Sequence, residues 1–150
     1  RGVWGGGVAG VWQAGVLATD ISVKALTTAR EGVYAEDRLS RLPVELRQRY
    51  FRPAEPGFWA VSERLKEEIT FRRFNLINSE FPFKKAFHII FCRNVMIYFD
   101  QPTRRALVDR LFRHTAAGGY LFIGHSESLG RQDCPYTYVQ PAVYRKEGKA

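Results

Sequence analysis

The stretch from Phe87 to Asp100, FHIIFCRNVMIYFD, constrains the fold of this chain more than any other. Ile89, Ile90 and Phe91 form a short apolar run of the kind a strand buried on both faces presents. The run breaks at Cys92-Arg93-Asn94 and turns apolar again from Val95 to Phe99. In open α/β sheets, ligands bind in the crevice beyond the carboxyl ends of the strands. A buried strand that ends in polar groups therefore predicts an α/β domain with a small-molecule pocket, Arg93 and Asn94 standing at its lip.

The flanking segments extend this pattern. Val16 to Asp20 reads as a second short buried strand, ending in a carboxylate. Ser22 is placed to cap a helix through Ala25, Leu26 and Ala29, and Gly32 to end it. Pro43, Pro53, Pro56 and Gly57 then interrupt a region rich in aromatics (Tyr34, Tyr50, Phe51, Phe58, Trp59), which predicts a small inserted subdomain over about residues 34–62 rather than a linker. Ile69 to Leu76 resumes the strand pattern and finishes at Asn75. Asp100, with Pro102 in the first turn, predicts a helix to about His114 whose Leu107, Val108, Leu111 and Phe112 share a stripe. Ala116 to Gly119 reads as a turn feeding a strand from Tyr120 to Gly124, and the tail around Pro141 as a closing antiparallel hairpin. The order predicts one mostly parallel sheet with helices on both faces.

Length and charge narrow the function classes. At 150 residues the chain is one domain by size, able to bury a real core. No apolar run approaches the roughly 20 residues that span a bilayer, so a membrane-embedded protein is not expected. The glycines and two Trp of the first residues argue against a signal peptide. Cys92 and Cys134 show no CxxC spacing, which disfavours a disulfide framework or a zinc site and points to a reducing cytoplasm. The net charge of +8 favours an acidic partner, nucleic acid or protein, although the arginines scatter along the chain rather than form one block.

Candidate site residues follow from the strand ends. Asp20 suits an acid that accepts hydrogen bonds from ribose hydroxyls, or one that steadies the next helix. Asn75-Leu76 offers an amide and backbone groups to an adenine edge, or a local turn. His125-Ser126-Glu127 resembles a catalytic set, but adjacent loop residues rarely form a triad, and a structural or pocket-wall role is the better expectation. His88 and His114 stand without metal-ligand company. Gly5 to Gly10 formally matches G-x-G-x-x-G; its partner acid is expected about 20 residues on. Asp20 follows too closely for a helix and a strand to fit between, so the match reads as accidental.

The blocks VLATDIS (16–22), REGVY (30–34), TFRRFNL (70–76), IFCRNVMIYFD (90–100) and LFIGHSES (121–128), in this order, closely resemble the CheR-type chemotaxis receptor methyltransferases. The resemblance covers roughly residues 16–146. It implies a class I, Rossmann-like methyltransferase fold and S-adenosylmethionine as cofactor. The methyl group would go to glutamate carboxylates on the cytoplasmic helices of methyl-accepting chemotaxis receptors, leaving S-adenosylhomocysteine. By the same resemblance Asp20 would hold the ribose diol, Asn75-Leu76 would line the adenine, and Arg93-Asn94 would close the pocket near the methionine part. The insert would contact the receptor. Tyr98, just past the pocket lip, suits a residue that orients the acceptor carboxylate, or a core aromatic. No metal is implied, and nucleic acid is disfavoured as a partner.

The sequence also departs from the family. VWGGGVAGVWQAG stands where the family carries a G-[ST]-G-E-E loop, and no acid lies between Arg1 and Thr19. His88 replaces an Asp common before the CRN strand. The family's N-terminal helical domain has no counterpart here, so a catalytic domain truncated at its N-terminus is expected. A non-catalytic binding module that keeps the fold without the cofactor loop stays open as the alternative.

Overall fold

The computed structural model describes residues 14–130 and 134–148, which divide into two compact units, one through Asn75 and one from Leu76. The glycine-rich start and its G-x-G-x-x-G match lie outside the described residues.

Along the first unit run β1 (Val16–Asp20), α1 (Val23–Glu31), β2 (Val33–Ala35), a 3-10 turn at Glu36–Leu39, α2 (Val44–Tyr50), β3 (Phe51–Pro53), β4 (Phe58–Val61), α3 (Glu63–Glu67) and β5 (Ile69–Arg73). The ends of α1 are set by local chemistry. The Ser22 hydroxyl accepts the Ala25 N–H, and Gly32, at φ 65°, closes the helix with its N–H on the Thr28 carbonyl. β1 and β5 pair in parallel from Val16 opposite Ile69 to Asp20 opposite Arg73. β2, β4 and β3 form a separate antiparallel sheet in that order. Its β3–β4 turn passes through Gly57 at φ 80°, where a Cβ would be strained. An apolar hollow of about 480 Å³ lies within this unit, lined by Val16, Ala18, Leu39, Phe51, Val61 and Phe71 among others.

The second unit contains β6 (Phe87–Cys92), a 3-10 turn at Met96–Tyr98, α4 (Gln101–His114), β7 (Thr115–Ile123), β8 (Thr137–Gln140) and β9 (Val143–Arg145). Its sheet has the order β6-β7-β9-β8, with β6 and β7 parallel and the rest antiparallel. α4 starts where Asp100 accepts the Thr103 N–H, with Pro102 in its first turn. It ends under Lys146, whose ammonium donates to the Phe112 and Thr115 carbonyls at 2.8 Å each. The Phe112 carbonyl also takes the Thr115 N–H, and a cation there opposes the negative end of the helix dipole. Leu107, Val108 and Leu111 of α4 are buried together with Leu121 and Ile123 of β7 and Met96. The buried Thr115 hydroxyl donates to the Leu111 carbonyl and meets the Tyr136 hydroxyl at 2.6 Å. Both groups thus enter the core paired.

The class is α/β, with parallel pairs and a closing antiparallel hairpin. The parallel pairs are β1-β5 in the first unit and β6-β7 in the second. Two expectations need correction. Neither expected buried strand is covered on both faces: Val16 is 55% exposed, Ile89 54% and Phe91 69%. On β6 only one parity is packed, because Ile90 and Cys92 lie opposite Leu121 and Ile123 on the core side. Phe91, on the other face, is covered in part by stacking on Phe122 at 4.8 Å. Finally, Ala116 to Gly119 is not a turn before the strand but an irregular stretch within β7. Thr115 pairs with Phe87 and Tyr120 with Ile89, so β7 bulges between them. Gly118 takes φ 74° there, and a Cβ on Gly119 would come within 2.8 Å of the His88 carbonyl.

Candidate functional site

Each unit places candidate residues at the carboxyl end of its parallel pair. In the first, Asp20 is the last residue of β1, and its carbonyl accepts the Phe74 N–H at 3.0 Å just beyond β5. Asn75, expected to finish the strand, instead lies two residues past its end at Arg73. Asp20 is exposed and its Oδ1 accepts the Ser22 N–H at 2.8 Å. The carboxylate therefore braces the turn into α1, while Ser22 supplies the cap. A carboxylate has about four acceptor sites, so one such bond leaves Asp20 able to receive hydroxyl donors.

In the second unit, Leu76 is tied down through its backbone. The Arg110 guanidinium, nearly buried beneath α4 and stacked 5.6 Å from the Phe81 ring, donates to the Leu76 carbonyl at 3.1 Å. Arg93 and Asn94 follow β6 directly. Asn94 takes φ 58°, a left-handed conformation that Asn tolerates better than most side chains. Tyr98 sits two turns of chain further on and is 80% exposed.

The loop after β6 is held by Glu127, one of the three residues for which a structural or pocket-wall role was expected. Glu127, in the loop after β7, collects five backbone N–H groups on its carboxylate. Oε1 accepts from Val95 at 3.1 Å, Met96 at 2.8 Å and Ile97 at 3.2 Å. Oε2 accepts from Asn94 at 3.0 Å and Gly124 at 2.6 Å. Burial by itself would raise the Glu127 carboxyl. The backbone bonds from Gly124, Asn94, Met96 and Ile97 together outweigh it and hold the group below its ordinary value. Space for the carboxylate depends on Gly124, where a Cβ would collide with Asn94 Oδ1 and come within 2.8 Å of Glu127 Oε2. The clue in the sequence was an acid three residues after a strand-ending glycine, but reading it needs β6 and β7 to be known neighbours.

Cys92, just before this loop, is not a nucleophile. Its burial, reinforced by the Glu127 charge, pushes the thiol up to about 12. Among the described residues no group of three or more His, Cys, Asp or Glu side chains comes together as metal ligands.

Comparison with known proteins agrees with the motifs. Residues 7–144 match the family described as CheR methyltransferase, SAM binding domain. A chemotaxis protein methyltransferase of Borreliella burgdorferi is 44% identical over 131 residues, 87% of this chain and 46% of that protein. The chemotaxis protein methyltransferase Cher2 of Pseudomonas putida is 41% identical over 128 residues, 85% of this chain and 46% of its own. This chain thus spans about half the length of the curated relatives it matches. Among solved structures, the N-methyltransferase NodS from Bradyrhizobium japonicum WM9, in complex with S-adenosyl-l-homocysteine, aligns with a TM-score of 0.44 at 16% identity, covering 73% of this chain and 40% of that one.

Proposed function

This chain belongs to the CheR methyltransferase family, and from that premise we propose that it forms the catalytic part of an enzyme methylating glutamate carboxylates on methyl-accepting chemotaxis receptors. S-adenosylmethionine supplies the methyl group as an electrophilic sulfonium substituent. The observation that carries the reading is the fixed loop at the β6 end, where four successive backbone N–H groups, Asn94 to Ile97, directly after Arg93, are held by the Glu127 carboxylate.

The donor set fits such a cofactor. Asp20 offers an exposed carboxylate to the ribose diol, and Asn75 an amide beside Leu76 for the adenine. Arg93 and Asn94 offer a cation and an amide to the charged methionine part. The reaction asks little proton chemistry of the protein. An acceptor glutamate is ionised at neutral pH, so one of its oxygens attacks the methyl carbon as the sulfur–carbon bond breaks, and no base is needed. What the residues contribute is alignment and partial removal of water from the carboxylate. Tyr98, exposed just past the loop, is assigned to orienting that carboxylate.

The inserted segment, about residues 34–62, is assigned to docking the receptor. Its antiparallel sheet stands apart from β1-β5, and Arg38, Arg41, Arg49 and Arg52 are exposed on and around it. An acidic receptor helix suits the overall charge of +8. Receptor signalling regions of this kind place the enzyme in the cytoplasm, and no helix among the described residues is long and apolar enough to cross a membrane.

Calorimetric titration with S-adenosylhomocysteine tests the reading. Saturable binding that Asp20→Ala weakens about tenfold or more, roughly the loss of one or two hydrogen bonds to a charged group, supports it. A folded chain that does not bind at all would instead be a receptor-docking module. Transfer of labelled methyl groups from S-adenosylmethionine to receptor helices, released again by base as esters are, then tests the acceptor.

A further inference from the structure

The geometry points to Glu127 as a positioning residue for the methionine end of the cofactor, acting through the Asn94–Ile97 backbone. This rests on the methyltransferase reading given above. Glu127 is a loop residue reaching across to the neighbouring strand's loop, more than thirty positions back in sequence. It spends both carboxylate oxygens on main-chain donors rather than on a cation. The donors are those that a left-handed residue followed by a 3-10 turn leaves without internal partners. Without the carboxylate they would face water or stay unpaired, and Asn94 would lose the contact that fixes its φ of 58°. Gly124 completes the device, since any side chain there would displace the carboxylate or the Asn94 amide. The backbone from Asn94 to Ile97, and with it the Asn94 side chain, is therefore held by a residue outside the assigned cofactor set.

The position of the loop makes the expected effect selective. Arg93-Asn94 is assigned to the methionine part, and Asp20 with Asn75 to the nucleoside part. Glu127→Gln keeps the size but offers one acceptor oxygen in place of two, and turns an NH₂ toward converging N–H donors. Binding of S-adenosylhomocysteine should weaken about tenfold or more, whereas 5′-methylthioadenosine, which lacks the amino-acid portion, should bind within about twofold of wild type. Amide hydrogen exchange at Asn94 to Ile97 should quicken in the same variant without any change at Leu121 in β7. A partly unfolded protein would lose both ligands together, so the ratio of the two affinities separates positioning from bulk stability.

Equal weakening of both ligands, or unchanged exchange at Asn94 to Ile97, would overturn the proposal. Should Glu127→Gln fail to fold by circular dichroism, Glu127→Asp is the variant to read. It keeps both oxygens one methylene short, and should give the same selective loss at smaller size. If wild type binds neither compound, the cofactor reading is what fails, and the exchange comparison still decides whether Glu127 holds the loop.

Discussion

The two units solve the same problem unequally. Both end a parallel strand pair in candidate cofactor residues, yet only the second packs one face of its pair against a filled core. Leu107, Leu121, Ile123 and Met96 there are at most 2% exposed, whereas the buried apolar side chains of the first unit, among the described residues, are Leu26 and Leu39. The first unit instead leaves an open hollow of about 480 Å³. The strand ends differ in the same direction. Asp20 rests on one local hydrogen bond, two residues away, while the loop after Arg93 is fixed by four bonds to a residue on another loop. Apolar packing supplies most of a fold's stability, so the loop after β6 should be more rigid than the turn after β1.

The largest test of this contrast is a pair of truncations. Leu121→Ala removes a side chain with no exposed surface from a filled core and should cost about 2–5 kcal/mol. Leu39→Ala only widens a hollow that already exists, and should fall at or below the low end of that range. Urea unfolding followed by circular dichroism measures both, and equal losses would break the comparison.

Acid should act next, and on the second unit's loop. The Glu127 carboxyl is depressed in the folded state, so its contribution is complete above its ordinary value of 4.5 and disappears as pH falls through the lower folded value. Wild type should therefore lose loop protection in acid, while Glu127→Gln, already unprotected, should show no such step. An acid transition of equal size in both proteins would assign it to other carboxylates.

What the sequence made legible were features decided locally. Ser22, Gly32, Asp100 and Pro102 mark the ends of α1 and α4 because capping needs only residues a few positions apart. The closing hairpin and the strand cores were readable for the same reason. Coverage was not: the apolar run Ile89-Ile90-Phe91 is compatible with burial on one face or both, and only the neighbours of β6 decide. The strands of the three-stranded sheet, at three or four residues, are too short to carry a period. Of the site, the polar strand ends were visible and a structural or pocket-wall role was expected for His125-Ser126-Glu127, but the partners of Glu127 were not visible, since they lie on a loop that adjacency of β6 and β7 brings to it.

Cysteine chemistry sharpens the contrast in packing. With its thiol pushed up to about 12, Cys92 exists as thiolate in roughly one molecule in ten thousand at pH 8. It is also 5% exposed. Iodoacetamide should leave it unmodified in the native protein and alkylate it rapidly in urea. Labelling of native Cys92 at the unfolded rate would mean that the β6 end opens freely, contrary to a loop clamped by Glu127.

The smallest effect tests whether the two units respond separately. Ser22→Ala removes the hydroxyl that accepts the Ala25 N–H and should destabilise α1 by about 1 kcal/mol. Asp20 would still brace the turn through the Ser22 backbone, which the substitution leaves in place. The expected signature is local: faster amide exchange along Val23–Glu31 with no change in β7. If β7 quickened equally, the thin core of the first unit would be part of one cooperative structure with the second, and the ribose end would owe its order to the same packing as the methionine end.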